Sequence, residues 1–184
     1  MAQRALVELA RSGDHEAFAS LVRDAAVRLD GAARLILRDP EAARDAVQDA
    51  LIRAWRDLSG LRDPDRFDAW LHRLTVNACL DIARRRKRRV HEVELTVIHG
   101  PAVADVGGTL ADRELLAEAL RRLEPEWRAL VVMHYYLGMP LPDAAAALGI
   151  PLGTAKSRLH RALASMRVVV DDGRQVAAVG GQAS

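Results

Sequence analysis

Apolar positions recur at helical spacing through successive stretches of this chain, and glycine, proline or small polar residues punctuate them. Asp14 predicts the N-cap of a helix to about Leu29, with Phe18, Leu21, Val22 and Leu29 facing inward. Ala32 to Leu37 predicts a further helical segment. Asp39-Pro40-Glu41 then supplies a cap, a proline at the first helical position and an acid in the first turn. The helix it opens runs to about Leu58, with Ala43, Ala46, Val47, Ala50, Leu51, Ala54 and Leu58 as its apolar stripe. Arg44, Asp45, Gln48, Asp49, Ile52, Arg53 and Arg56 take the other side. Ser59-Gly60-Leu61-Arg62 breaks it, and Asp63-Pro64 precedes a third long helix from about Asp65 to Arg86. Phe67, Trp70, Leu71, Leu74, Ala78 and Ile82 point inward there, and the helix ends in a basic run, Arg84 to Arg89.

Periodicity is lost between Val90 and about Asp112, where His99-Gly100-Pro101 and Gly107-Gly108 are breakers, so a flexible linker is expected. A second helical block follows. One helix runs through Leu115, Leu116, Ala119, Leu120 and Leu123 to Glu124-Pro125, and another through Trp127, Leu130, Val131, His134 and Tyr135 to Gly138. Leu141 to Met166 then has the spacing of a helix-turn-helix. An Ala-rich helix ends at Leu148-Gly149, and a second begins near Gly153-Thr154. Ala155, Leu159, Ala162, Leu163 and Met166 make the buried stripe of that second helix. The expected architecture is all-α: two small helical domains, residues 1–89 and 113–168, a linker at 90–112 and a disordered tail at 169–184.

Composition agrees with that class. Half of the 184 residues are apolar, only 4% are aromatic, and β-branched runs are scarce. The net charge of +2 excludes a protein that coats nucleic acid indiscriminately. Its distribution is more telling. Basic residues gather at Arg84 to Arg89 and from Lys156 to Arg167, whereas Glu92, Glu94, Asp105 and Asp112 make the intervening segment acid-leaning. The N-terminus lacks the apolar core of a signal peptide, no apolar run approaches the ~18 residues of a membrane span, and Cys79 stands alone; a cytoplasmic protein without membrane insertion is expected. The six histidines show no metal-ligand spacing, and phosphate-cradling and nucleophile motifs are absent, so neither enzyme nor cofactor is expected.

The second helix of the helix-turn-helix carries Lys156, Ser157, Arg158, His160 and Arg161 opposite its apolar stripe, with no carboxylate between Gly153 and Arg167. Such a face suits phosphates and base edges in a major groove. An ordinary helical hairpin with a solvated basic face is the alternative. Asp45, Gln48, Asp49 and Arg53 share one face of the second long helix, and periodicity alone reads that face as solvated. Trp55 and Trp70 read as core anchors beside apolar stripes.

Three passages resemble the extracytoplasmic-function group of sigma-70 class sigma factors. They are Asp39 to Ala50 with Arg53-Ala54-Trp55, Phe67 to Asn77 leading to Asp81 and the arginine run, and Gly149 to Ala162. The first is similar to the helix that docks on the clamp of RNA polymerase, and implies polymerase contact by Asp45, Gln48, Asp49, Arg53 and Trp55. The second is similar to the promoter-melting helix, and implies minus-10 contacts by Arg62, Arg66, Arg73, Asn77, Arg84 and Arg85, with the turn from Ser59 to Arg66 walling a pocket for a flipped base. The third is similar to the minus-35 reader, and implies Thr154, Lys156, Ser157, Arg158 and Arg161. Core RNA polymerase, promoter DNA and an anti-sigma factor are the implied partners. The chain departs from the family at Ala25, Ala26 and Asp30-Gly31, where aromatic residues are usual, and at Asp143-Ala144-Ala145-Ala146. Without the resemblance, a stand-alone helix-turn-helix regulator and an adaptor that touches no DNA are the competing functions.

Overall fold

The computed structural model of the protein describes residues 2–90 and 109–180, and every regular element among them is helical. Helix α1 (Ala2–Arg11) precedes the first expected helix and lays Val7 and Ala10 into the core. Gly13 turns the chain at φ +96°, and the Asp14 carboxylate accepts the Ala17 N–H at 3.0 Å to start α2 (His15–Leu37). The two segments expected here are one helix, continuous through Asp30-Gly31. A helix-interior glycine costs about 1 kcal/mol against alanine, and here the missing side chain is functional space. A Cβ at residue 31 would overlap the hydroxyl of Tyr136, from the second block.

Asp39 caps α3 (Pro40–Asp57), accepting the N–H groups of Glu41 and Ala42 at 2.9 and 3.1 Å, while its other oxygen accepts from Arg86 of the next long helix at 2.7 Å. Burial would raise the Asp39 pKa, but these donors outweigh it and hold the carboxylate below its usual value. The inward face of α3 is Ala42, Ala43, Ala46, Ala50 and Ala54, all buried. Side chains this small let α3 lie close against α4 (Phe67–Val90), which two short 3₁₀ turns connect to it, Leu58–Gly60 and Pro64–Arg66. Asp63 caps the second turn by accepting the Asp65 N–H at 3.1 Å. Phe67, Leu71, Leu58, Leu29 and Val7 form the centre of the first block.

The second block opens on a capping box in which Thr109 and Asp112 satisfy each other's backbone N–H groups. Helix α5 therefore begins at Leu110 and runs to Arg121, and Val90 belongs to α4. The expected linker is thus helical at both ends, and its 91–108 portion lies outside the described residues. Helix α6 (Pro125–Val131) passes into a π turn (Val132–Tyr136). Then come α7 (Leu141–Ala147), a turn with Gly149 at φ +66°, and α8 (Leu152–Gly180). The start of α8 precedes the expected Gly153-Thr154, because Pro151 fits the position just before a helix and its carbonyl already accepts the Ala155 N–H. Its end corrects a larger expectation: residues 169–180 are helical rather than disordered. Val169 is buried, Gly173 lies against Leu115 of α5, and Arg174 pairs with Asp112 at 3.9 Å. Residues 181–184 lie outside the described ones.

The two blocks share a core. Ala32, Ile36, Val76 and Leu80 of the first pack in one cluster with Leu120, Leu130, Met133 and Met139 of the second. Arg128 of α6, only 6% exposed, reaches across to donate to the Ile36 carbonyl at 2.6 Å while its second terminal nitrogen donates to the Leu123 carbonyl at 2.7 Å. Arg28 of α2 donates to the Tyr136 carbonyl at 3.3 Å.

Removing the α3 cap with Asp39→Ala is expected to cost about 1 kcal/mol from the cap itself, read as a lower urea midpoint with unchanged m value. A pH dependence follows from His72, which is buried on α4. Burial, reinforced by the Arg28 guanidinium and opposed by Asp68, holds its imidazole below the usual pKa. The unfolded chain therefore takes up the proton first, near pH ~6.5, and stability falls with pH from there until the folded imidazole protonates. His72→Leu should flatten the thermal midpoint between about pH 7 and pH 5.5 relative to the parent; equal slopes would exclude His72 as the titrating group.

Candidate functional site

Three surfaces carry the candidate residues. On the outer face of α3, Asp45 and Gln48 are exposed, while Asp49 and Arg53 are half-buried and bound to each other at 2.7 Å. Arg53 also lies 3.7 Å from Asp81 of α4, which fixes it as a brace between the two helices. Trp55 is half-buried: it stacks on His15 with 4.5 Å between ring centroids and meets Phe18 edge-on at 5.1 Å. It therefore joins α2 to α3 and also forms the end of a shallow, mainly apolar groove with Phe18, Val47, Gln48, Leu51 and Ile52. Ile52 is 58% exposed on this otherwise polar face. It was not among the candidates, and an isoleucine on the polar side of the α3 pattern was the signal for it.

The second surface is a cavity of about 580 Å³ between the blocks. The turn after α3 and the first turns of α4 give one wall, with Arg62, Arg66, Trp70 and Arg73 converging on it. Met139, Asp143, Ala146 and Ala147 give the other. Arg66 donates to the Asp143 carboxylate at 2.7 Å. The structure thus gathers three of the six cations and amides expected to act together. Asn77, half-buried and one turn beyond Arg73, does not line the cavity. Arg84 and Arg85 are farther along α4, about 16 Å from Arg73 by helical rise. Arg84 faces Asp81 at 3.5 Å and Glu126 at 3.9 Å. Asp63 and Leu61 also line the cavity, Asp63 through the cap that shapes the turn.

The third surface is the outer face of α8. Ala155, Leu159, Ala162 and Met166 bury its inner stripe, which turns Lys156, Ser157, His160 and Arg161 to solvent, while Thr154 and Arg158 are half-buried. The Ser157 hydroxyl donates to the Thr154 carbonyl at 3.0 Å, so its proton is committed and its lone pairs remain available. The acid-free basic face is therefore presented as one strip of a single helix. Among the described residues, no cluster of histidine, cysteine or carboxylate side chains could hold a metal ion, and no helix is long and apolar enough to cross a membrane.

Comparison with known proteins matches two stretches of the chain to two family regions. The family described as sigma-70 region 2 matches residues 15–89, and that described as sigma-70, region 4 matches residues 113–166. The chain is 36% identical over 154 residues to the RNA polymerase sigma-E factor of Streptomyces avermitilis, covering 84% of this chain and 83% of that one. It is 39% identical over 155 residues to the ECF RNA polymerase sigma factor SigM of Mycobacterium tuberculosis, covering 84% and 78%. Among solved structures, it resembles the sigma factor RpoE of Bartonella quintana in complex with the anti-sigma factor NepR (TM-score 0.70, 27% identity, 86% of this chain and 97% of that one). It also resembles CnrH in complex with the cytosolic domain of CnrY (TM-score 0.65, 31% identity, 94% and 99%).

Proposed function

This chain belongs to the extracytoplasmic-function group of the sigma-70 family and is an alternative sigma factor, and we propose how its three surfaces divide the work. Residues 1–89 hold core RNA polymerase and the minus-10 element, and residues 113–168 hold the minus-35 element. Like other sigma factors it makes no covalent chemistry of its own; RNA synthesis belongs to the polymerase, inside the cell. An anti-sigma factor restrains it, as the complexes of RpoE and CnrH suggest by likeness.

The exposed edge of α3 docks the polymerase. Asp45 and Gln48 supply polar contacts, Ile52 and the groove beside Trp55 supply apolar area, and the Asp49–Arg53 pair keeps the helix face rigid. Such a combination of an apolar centre and a polar rim is how protein interfaces are built. The cavity wall of Arg62, Arg66, Trp70 and Arg73 takes the unstacked minus-10 strand, with guanidinium groups for phosphate and an indole face for a base. Asn77 and the arginine run extend that track along α4. Lys156, Ser157, Arg158 and Arg161, with Thr154 at the start of the helix, read the minus-35 element in the major groove. Tethering two weak DNA contacts to one enzyme raises the effective concentration of the second, so neither needs high affinity alone. The observation that carries this reading is the basic strip of α8, which follows a helix-turn-helix turn and is free of carboxylates.

Run-off transcription with purified core polymerase on a library of genomic promoters tests the reading. Initiation at a distinct promoter class, absent with core alone, is expected; neither initiation nor co-elution with core would overturn it. Lys156→Ala with Arg161→Ala should lower that transcription about tenfold or more, from the loss of a base-edge contact by Lys156 worth about 1–3 kcal/mol and of a phosphate contact by Arg161, while co-elution with core is unchanged. Asp45→Ala with Gln48→Ala should do the reverse, weakening co-elution and with it transcription from every promoter of the class.

A further inference from the structure

We propose that Arg11 of α1 is a positioning residue for minus-10 recognition: it fixes the turn that walls the pocket and so sets how strictly a base is chosen. The inference rests on reading that turn and its arginines as part of the minus-10 site. Residues 58–66 join α3 to α4, and Gly60, Leu61, Arg62 and Asp63 line the cavity. The Leu61 N–H donates to the Leu58 carbonyl at 3.1 Å, and the Arg66 N–H to the Asp63 carbonyl at 3.0 Å. These bonds shape the turn without tying it to another element. Arg11 supplies the tie. Its Nε donates to the Leu58 carbonyl at 3.4 Å and one terminal nitrogen donates to the Leu61 carbonyl, 47 and 50 residues along the chain. Glu8, one turn back on α1, holds the other terminal nitrogen at 2.9 Å. All three nitrogens of the guanidinium are thus engaged, and the side chain is only 22% exposed.

Other contacts between α1 and the turn do not fix its backbone as well. Leu58 and Leu61 are buried in one cluster with Val7 and Ala10, but apolar burial has no direction and tolerates small shifts. Arg4 and Asp65 lie 3.7 Å apart with both side chains well exposed, where an ion pair contributes little. A planar guanidinium on two carbonyls is directional and charge-assisted. Arg11 precedes the stretch matched to sigma-70 region 2, so the tie comes from this chain's N-terminal helix. Its loss would leave Arg62 and Arg66 on the turn, and their attraction to phosphate carries no sequence information. Choosing among unstacked bases requires a wall that does not yield. Arg11 therefore acts on discrimination more than on binding.

Run-off transcription with the reconstituted holoenzyme reads this on one promoter of its class and on copies bearing each single-base change in the minus-10 element. Arg11→Ala is expected to lower the preference for the correct base at one minus-10 position about tenfold, the size of one base's contribution. Co-elution with core and the response to minus-35 changes should stay as in the parent. Arg11→Lys keeps the charge but not the fork, so its preference should fall between the two; it carries the test alone if the alanine variant does not fold. Val7→Ala loosens α1 without touching the guanidinium and should lower all templates in proportion. In the free protein, amide exchange should quicken at residues 59–63 of Arg11→Ala and stay slow in the centres of α3 and α4. An unchanged preference in the Arg11 variants, with Arg62→Ala and Arg66→Ala still impairing transcription, would overturn the positioning role and leave the minus-10 reading standing. A loss of preference as large in Val7→Ala would overturn it too, by showing that any weakening of α1 suffices. If Arg62→Ala with Arg66→Ala leaves transcription intact, the minus-10 reading of the turn fails, and the role of Arg11 with it.

Discussion

Much of this architecture depends on how one buried cation, Arg128, is satisfied. An ion moved from water into a protein interior costs several kcal/mol, and no carboxylate meets the Arg128 guanidinium within ion-pair distance among the described residues. Its two terminal nitrogens instead donate to the carbonyls of Ile36, at the end of α2, and Leu123, just beyond α5. The Ile36 carbonyl is one that a helix leaves without an intrahelical partner, at the negative end of the α2 dipole, and Leu123 lies in the turn between α5 and α6. The guanidinium thus ties the end of α2 to the α5–α6 turn of the other block. The site is nonetheless imperfect: Nε is buried without a partner, and burial together with the nearby Arg38 lowers the Arg128 pKa to about 10. It remains charged at neutral pH, so the interface carries its full electrostatic burden.

The rest of the first block follows from a different economy, the use of alanine. Five buried alanines on α3 let it approach α4 closely without large side chains to anchor it. The larger anchors around it are Phe67 and Leu71 on α4 and Leu29 on α2, while its own Trp55 packs against His15 and Phe18 of α2. Because its inner face is committed to α2 and α4, α3 can present Asp45, Gln48 and Ile52 on its exposed side, where folding does not need them. The same separation holds on α8, where the buried stripe and the basic strip are opposite sides of one helix. Fold and function compete least where periodicity divides them.

That division also explains what was legible in the sequence. Asp14, Asp39 and Gly149 each do locally what their residue types announce, so the boundaries they set were readable. The stripe from Ala155 to Met166 was readable because its spacing is long and regular. What was not readable depends on contacts between distant segments. Asp30-Gly31 looks like a helix break, yet the helix continues because Tyr136, 105 residues later, fills the gap. The final twelve residues of α8 look like a polar tail and are helical because Leu115 and Asp112 receive Gly173 and Arg174. Arg128 in the sequence Trp127-Arg128-Ala129 gives no sign that it is buried. Among the site residues, the convergence of Arg62, Arg66 and Arg73 could be inferred from one turn and one helix, whereas their occupation by Asp143 belongs to tertiary structure alone.

The interface that Arg128 organises is held and opposed at the same time. Arg38 sits in the left-handed region at φ 59°, a conformation that non-glycine residues adopt at some cost, and Arg121 of the second block lowers its pKa further below the usual value after burial has done so. Arg38, Arg121 and Arg128 therefore bring like charges together where the blocks meet, relieved in part by Glu118 and Glu124. Against them stand hydrogen bonds to backbone carbonyls, a shared apolar cluster and the Arg66–Asp143 pair.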